Sequence, residues 1–215
     1  MPVKILIADD HAIVREGLQM IFSSHPDLTV ISTAGDGREA IARSEALRPD
    51  VIVMDIAMPG LNGIEATLAI CKRLPSVRVI MLSMYHTSEH VFRAIQAGAR
   101  GYILKESAGA ELVTAVRMVM AGKRYYGNGV ERPVGSDIDS ALSNRATPLE
   151  SLSSREREVL QFVVEGKTSA EIAGVLSLSP KSVETYRSRL MKKLGIENTA
   201  SLVKFAVQHG VTSLK

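Results

Sequence analysis

The sequence predicts a doubly wound α/β domain followed by a smaller all-helical domain. Three observations predict it. Over residues 1–122, short apolar runs rich in Val and Ile alternate with amphipathic helical patterns, as a parallel sheet covered on both faces requires. Residues 123–148 lose that periodicity and gather Gly127, Asn128, Gly129, Pro133, Gly135 and Pro148, which is linker composition. From residue 149 to 215 every signal is helical.

Strands are expected at Val3–Ala8, Leu28–Thr33, Val51–Met54, Val77–Leu82 and Gly101–Leu104. Between and after them, Ile13, Leu18, Ile21 and Phe22 space as one helix face, and so do Ile64, Leu68 and Cys71. Val91, Phe92 and Ile95 follow, and then Leu112, Val113, Val116, Val119 and Met120 before Gly122. In the segment 123–148, Tyr125, Tyr126, Val130 and Val134 are apolar enough for part of it to pack. In the last domain, Ser153 or Ser154 caps a helix that ends near Gly166, with Glu156 placed for a capping box. Thr168–Leu176 makes a short second helix. A third starts at Ser179-Pro180 and stops at Gly195, and a fourth runs from Ala200 to His209.

Composition narrows the function classes. Of 215 residues, 46% are apolar and 23% charged, which excludes disorder as the main state. The longest run without Asp, Glu, Lys or Arg is ten residues, too short for a membrane helix. Asp9 and Asp10 stand where a signal peptide needs its apolar core. The single cysteine, Cys71, excludes an internal disulfide framework, and a reducing cytoplasm is the expected location. Residues 1–122 carry a net charge of −1 and residues 149–215 carry +3, with five basic residues between Lys181 and Lys193. A basic cluster on one helix points to a polyanion. The absence of Trp argues for groove and phosphate contacts rather than base stacking.

The polar residues at the strand ends carry chemistry. Asp9 and Asp10 follow the first strand, Asp55 the third and Lys105 the fifth, and Ser83 ends the fourth. In a parallel sheet all fall at the carboxyl edge, where open α/β sheets bind ligands. Three carboxylates there repel one another unless a cation sits between them, and a hard divalent ion such as Mg²⁺ suits oxygen donors. Lys105 and Ser83 then suit a phosphate-type anion, and Asp55 is the candidate nucleophile for an aspartyl phosphate. Taken singly, each element has a bland alternative, since an Asp-Asp pair also caps helices and a strand-end Lys is often solvated.

DDHAIVREGL, VIVMDIAMPGLNG, VIMLS and GYILK together resemble the receiver domain of bacterial two-component response regulators, over residues 2–121. The resemblance implies the flavodoxin-like (βα)5 fold. It also implies Asp9, Asp10 and the Ala57 backbone carbonyl as Mg²⁺ ligands beside Asp55, the phosphoacceptor. Lys105 would contact the phosphoryl group, and Ser83 and Tyr102 would form the switch pair, the ring entering space that the turning serine leaves. Met84 and Tyr85 are expected to restrict water at the acyl phosphate and lengthen its life.

On a helical wheel of the third C-terminal helix, Val183, Leu190 and Leu194 face inward, while Lys181, Thr185, Ser188 and Lys192 face outward with Glu184 and Arg189 flanking. Short polar and basic side chains on an outward face suit the major groove. With the preceding short helix they make a helix-turn-helix whose Thr168 and Ser169 lie at a helix N-terminus, a phosphate contact. Residues 150–209 resemble the LuxR-type helix-turn-helix, and a receiver joined to it is the NarL/FixJ class of response regulator. Thr185 and Ser188 are the expected base-edge contacts. Lys181, Tyr186, Arg187, Arg189 and Lys192 are expected at the DNA backbone, with a structural role open for Arg187. Glu184 either accepts from a cytosine amino group or pairs with a neighbouring Arg.

The expected function is a phosphorylation-switched transcription regulator, served by a sensor histidine kinase, binding double-stranded DNA at two-fold half-sites as a homodimer. It would be no enzyme beyond its own phosphorylation and dephosphorylation. Two alternatives stand beside it. One is a DNA-binding regulator whose receiver works without phosphate. The other is an Mg²⁺-dependent aspartyl phosphatase, disfavoured because strand one ends in Asp-Asp-His rather than Asp-x-Asp.

Overall fold

The apolar runs of the first half assemble side by side. In the computed structural model, which describes residues 1–131 and 148–212, β1 (Val3–Ala8), β2 (Leu28–Ala34), β3 (Val51–Asp55), β4 (Arg78–Ser83), β5 (Gly101–Leu104) and β6 (Tyr125–Tyr126) form one sheet. Its order is β2-β1-β3-β4-β5-β6, and every pairing is parallel. Helices α1 (Ala12–Ser23), α2 (Gly37–Leu47), α3 (Gly63–Arg73), α4 (Ser88–Gln96) and α5 (Ala108–Met120) make the crossovers. Strand β3 is buried along its whole length, so its sequence is apolar on both faces up to Asp55. Ile5, Ile7, Val53, Ile80 and Leu82 pack under Leu18 and Phe22 of α1 and Leu112 and Val116 of α5. Each such side chain contributes about 1.5–3 kcal/mol by leaving water. Leu6, Ile52, Met54 and Met81 fill the opposite face.

Several expectations change. A sixth strand, β6, pairs with β5 through Gly101↔Tyr125 and Tyr102↔Tyr126, so the segment expected as linker from residue 123 begins with chain packed on the sheet. Val130 is buried beyond it, and residues 132–147 of the expected linker lie outside the described residues. Ile13 is 79% exposed, because at 100° per residue it lies about 140° from Leu18. Leu68 is 40% exposed, the buried face of α3 centring on Thr67 and Ile70 instead.

The chain divides into two compact units, Met1–Ser136 and Asp137–Lys215. The second is helical among its described residues: α6 (Ser154–Val164), α7 (Ser169–Leu176), α8 (Pro180–Leu194) and α9 (Thr199–Gln208). They close on Leu160, Ile172, Val183, Leu190, Leu202 and Ala206, each fully or nearly fully buried. The expected capping box forms, Ser153 accepting from the Glu156 amide while Glu156 accepts from the Ser153 amide. Thr168 and Glu171 repeat it on α7. Ser177 turns the chain between α7 and α8 in the left-handed region, φ 53°, and Gly195 ends α8 in the same region. No helix among the described residues is long and apolar enough to cross a membrane.

Candidate functional site

Parallel strands deliver their last residues to one edge, and the ends of β1, β3 and β5 with the residues just after them bring three acidic groups and a lysine together there. Asp9 is fully buried and Asp55 is 3% exposed. The Lys105 ammonium bridges them, 2.8 Å from Asp9 Oδ2 and 3.0 Å from Asp55 Oδ2. Asp10 lies beside them, with the His11 Nδ1 2.8 Å from Asp10 Oδ1 and 3.2 Å from Asp9 Oδ1. One ligand atom from each of Asp9, Asp10, His11 and Asp55 falls within 4.8 Å of every other. The expected Asp9, Asp10, Asp55 and Lys105 therefore meet, and His11 joins them. The sequence signal for His11 is its place directly after the Asp9-Asp10 pair.

The backbone holds this geometry tightly. The Arg15 guanidinium donates to the Asp9 carbonyl at 2.6 Å, fixing the turn from β1 into α1. Gly63, at the start of α3, passes so close to β3 that a Cβ there would lie 1.9 Å from the Asp55 carbonyl oxygen. Its amide donates to the Ile56 carbonyl, which pins the loop after Asp55. The Ala57 carbonyl in that loop accepts no hydrogen bond among the described residues.

Burial, then the neighbouring Asp9 charge, push the Asp55 carboxyl up to about 6 against the opposing pull of Lys105. Burial alone would lower the Lys105 ammonium; the charges of Asp55 and Asp9 outweigh it and hold that group above its ordinary value. A crowded, partly neutralised acid cluster of hard oxygen donors fits Mg²⁺.

Ser83, 1% exposed at the end of β4, accepts from the Tyr85 amide at 2.9 Å. Tyr102 is also 1% exposed, so its ring already lies inside the fold, and its hydroxyl donates to the Tyr85 carbonyl at 2.7 Å. Burial drives that phenol well above its usual range. The Tyr85 ring stacks on His90 with centroids 4.5 Å apart and planes 6° from parallel. His90 is buried, its Nδ1 2.7 Å from the Thr87 hydroxyl.

In the second unit, Lys181, Glu184, Thr185, Ser188, Arg189 and Lys192 are exposed along α8, a continuous stripe opposite Val183 and Leu190. Tyr186 and Arg187 leave that stripe. Tyr186 packs against the core, and Arg187 donates to the Thr199 hydroxyl at 2.8 Å, tying α8 to α9. The Thr168 hydroxyl is engaged in its capping box. Ser169 donates to Glu184 Oε1, joining α7 to the stripe. Glu184 thus pairs with a serine, not with a neighbouring arginine.

Residues 5–117 match the family described as "Response regulator receiver domain", and residues 150–206 match "Bacterial regulatory proteins, luxR family". The transcriptional regulatory protein MctR of Rhizobium johnstonii is 35% identical over 98% of this chain and 96% of its own length. The oxygen regulatory protein NreC of Staphylococcus aureus is 36% identical over 96% of this chain and 97% of its own. Among solved structures, a LuxR-family two-component response regulator of Aurantimonas sp. SI85-9A1 is 34% identical, covering 66% of this chain and 96% of that protein, with a TM-score of 0.56. An RcsB–DNA complex is 25% identical, covering 97% of this chain and 99% of that one, with a TM-score of 0.55.

Proposed function

From the premise that this chain belongs to the two-component response regulators that join a receiver domain to a LuxR-family domain, transcription regulators by family, we propose that Asp55 accepts a phosphoryl group and that this switches DNA binding by the α7–α8 pair. The observation that carries the reading is Lys105, which reaches both Asp55 and Asp9 within 3.0 Å at the buried edge of the sheet.

The step is a displacement at phosphorus. An Asp55 carboxylate oxygen forms the new P–O bond while the P–N bond to a histidine of a sensor kinase breaks, the electron pair leaving with the imidazole. Lys105 pairs with the transferred oxygens as it releases the Asp55 carboxylate. Asp9, Asp10, Asp55 and the Ala57 carbonyl would hold Mg²⁺, which supplies charge neutralisation for the incoming phosphoryl group. The chemistry ends on the protein itself, so the chain acts as a phosphoacceptor and not as an enzyme with a separate substrate. Ser83 would then turn its hydroxyl to a phosphoryl oxygen and give up the Tyr85 amide. That loosens the loop on which the Tyr102 hydroxyl is also tied, a two-state element biased by a local charge.

The exposed stripe on α8 supports the second half of the reading. Thr185 and Ser188 are short enough to approach base edges, while Lys181, Arg189 and Lys192 beside them would meet the phosphates. RcsB, similar over nearly the whole chain, has been solved on DNA. One helix-turn-helix reads few bases, so a homodimer on two-fold half-sites follows. A cytoplasmic location fits both partners.

Intact mass after incubation with acetyl phosphate tests the switch. One added phosphoryl group, dependent on Mg²⁺ and absent from Asp55→Asn, is expected. An adduct on Asp55→Asn would overturn the assignment.

A further inference from the structure

The DNA-facing stripe contains one residue that general electrostatics would exclude. Glu184 is the only acid among the fifteen residues of α8, and it is exposed between Lys181 and Ser188. A negative charge carried toward the phosphates of DNA is unfavourable unless the groove offers it a donor. The side chain is also not free to swing away. Ser169, at the first position of α7, donates its hydroxyl to Oε1. Among the described residues that is the sole partner of the carboxylate, leaving Oε2 uncommitted. The neighbouring Thr185 hydroxyl donates to the Lys181 carbonyl at 2.9 Å, so it does not compete for the acid.

A carboxylate has acceptors and no donor, and this selects among bases. Guanine shows the major groove only acceptors, N7 and O6, and thymine shows the O4 acceptor and a methyl group. Adenine offers its amino group, but beside the N7 acceptor, which repels a carboxylate. Cytosine alone offers an amino donor with no acceptor next to it. We propose that Glu184 selects cytosine at one position of each half-site, and that Ser169 is a positioning residue that fixes its carboxylate for that contact. The inference rests on the DNA-binding function proposed above and adds its specificity.

The test is selection from a duplex library with a randomised central segment, using the full chain treated with acetyl phosphate and Mg²⁺, followed by sequencing of the bound fraction. The parent is expected to favour cytosine over guanine at one position per half-site by roughly tenfold, the scale of one good base contact. Glu184→Gln, which can both donate and accept, should move that position to adenine. Glu184→Ala should flatten that position alone and bind non-specific duplex more tightly. Ser169→Ala should reduce the cytosine preference several-fold while the other positions hold. A parent profile without such a cytosine, or an unchanged profile in Glu184→Ala and Glu184→Gln, overturns the assignment to Glu184 and leaves DNA recognition standing. An unchanged profile in Ser169→Ala overturns the positioning role. A parent that enriches no sequence overturns DNA recognition itself, and this inference with it.

Discussion

Asp55 occupies a place where its own charge is unwelcome. Burial and Asp9 raise its carboxyl from 3.8 to about 6. A group whose folded value lies above its unfolded value adds stability below the unfolded value and loses it as pH rises through the folded one. In chelator, the first unit should therefore lose stability between about pH 4 and pH 6 as Asp55 ionises. Asp55→Asn removes that burden. Urea unfolding at pH 7.5 in EDTA should show the variant more stable by on the order of 2 kcal/mol, with little gain at pH 4. A variant no more stable than its parent at pH 7.5 would mean that Lys105 already neutralises the site. The same acid cluster that burdens the fold at neutral pH would, on the proposed function, welcome a cation and a phosphoryl group. Met84 is expected to act on the lifetime of that phosphoryl group. It follows Ser83, is 72% exposed, and precedes Tyr85, whose phenol is held above its ordinary value by burial and then by the Asp55 charge. Met84→Ala should lose the acyl phosphate several-fold faster, read as the decay of the phosphorylated mass after desalting; a rate equal to the parent's would remove Met84 as a shield.

At the scale of elements, Glu156 links two of them. It closes the cap of α6 and accepts from Lys193 at 2.7 Å near the end of α8. Burial pushes its carboxyl up, but the Lys193 and Ser153 hydrogen bonds outweigh that and leave it below its ordinary value. Its contribution is therefore present above the unfolded value and lost as pH falls through the folded one. Glu156→Ala should cost the second unit about 1–3 kcal/mol at neutral pH and less in acid, followed by helical circular dichroism on heating. This cap was legible in the sequence because Ser153 and Glu156 stand three apart before an apolar run. Helix α2 was harder to read. Its buried face is Gly37, Ala40 and Ser44, too little apolar surface to give a periodic signal. Its local mark was Asp36 with Glu39, which accept from the Glu39 and Gly35 amides. Strand β6 was hidden for a different reason. Two residues cannot show a period, and Tyr125 is placed by Glu111 of α5, 3.0 Å from its hydroxyl, a contact from fourteen residues away. The carboxylate edge was legible because strand order alone sends Asp9, Asp55 and Lys105 to one place. The Ser169–Glu184 pair was not, since only the angle between α7 and α8 creates it.

Across the whole molecule, charge differs between the two units. The first 122 residues carry −1 and the last 67 carry +3, with the excess centred on α8. Affinity for DNA should therefore come from a few local cations and not from a field over the entire chain. Each lysine that displaces a counterion from a phosphate contributes about one unit to the slope of log affinity against log salt. Replacing Lys181 and Lys192 together by Ala should lower that slope by about two on specific and non-specific duplex alike, leaving the order of preferred sequences intact. The same double variant should take up a phosphoryl group from acetyl phosphate as the parent does, because Asp55 lies on the other unit. Asp55→Asn should behave in the opposite way, keeping the parent's salt slope and losing any change in DNA affinity that acetyl phosphate brings. The pair of variants separates reception from reading in one chain. A double variant that binds DNA with the parent's salt slope would move the phosphate contacts off α8. An Asp55→Asn chain that still responds to acetyl phosphate would place the switch on another residue.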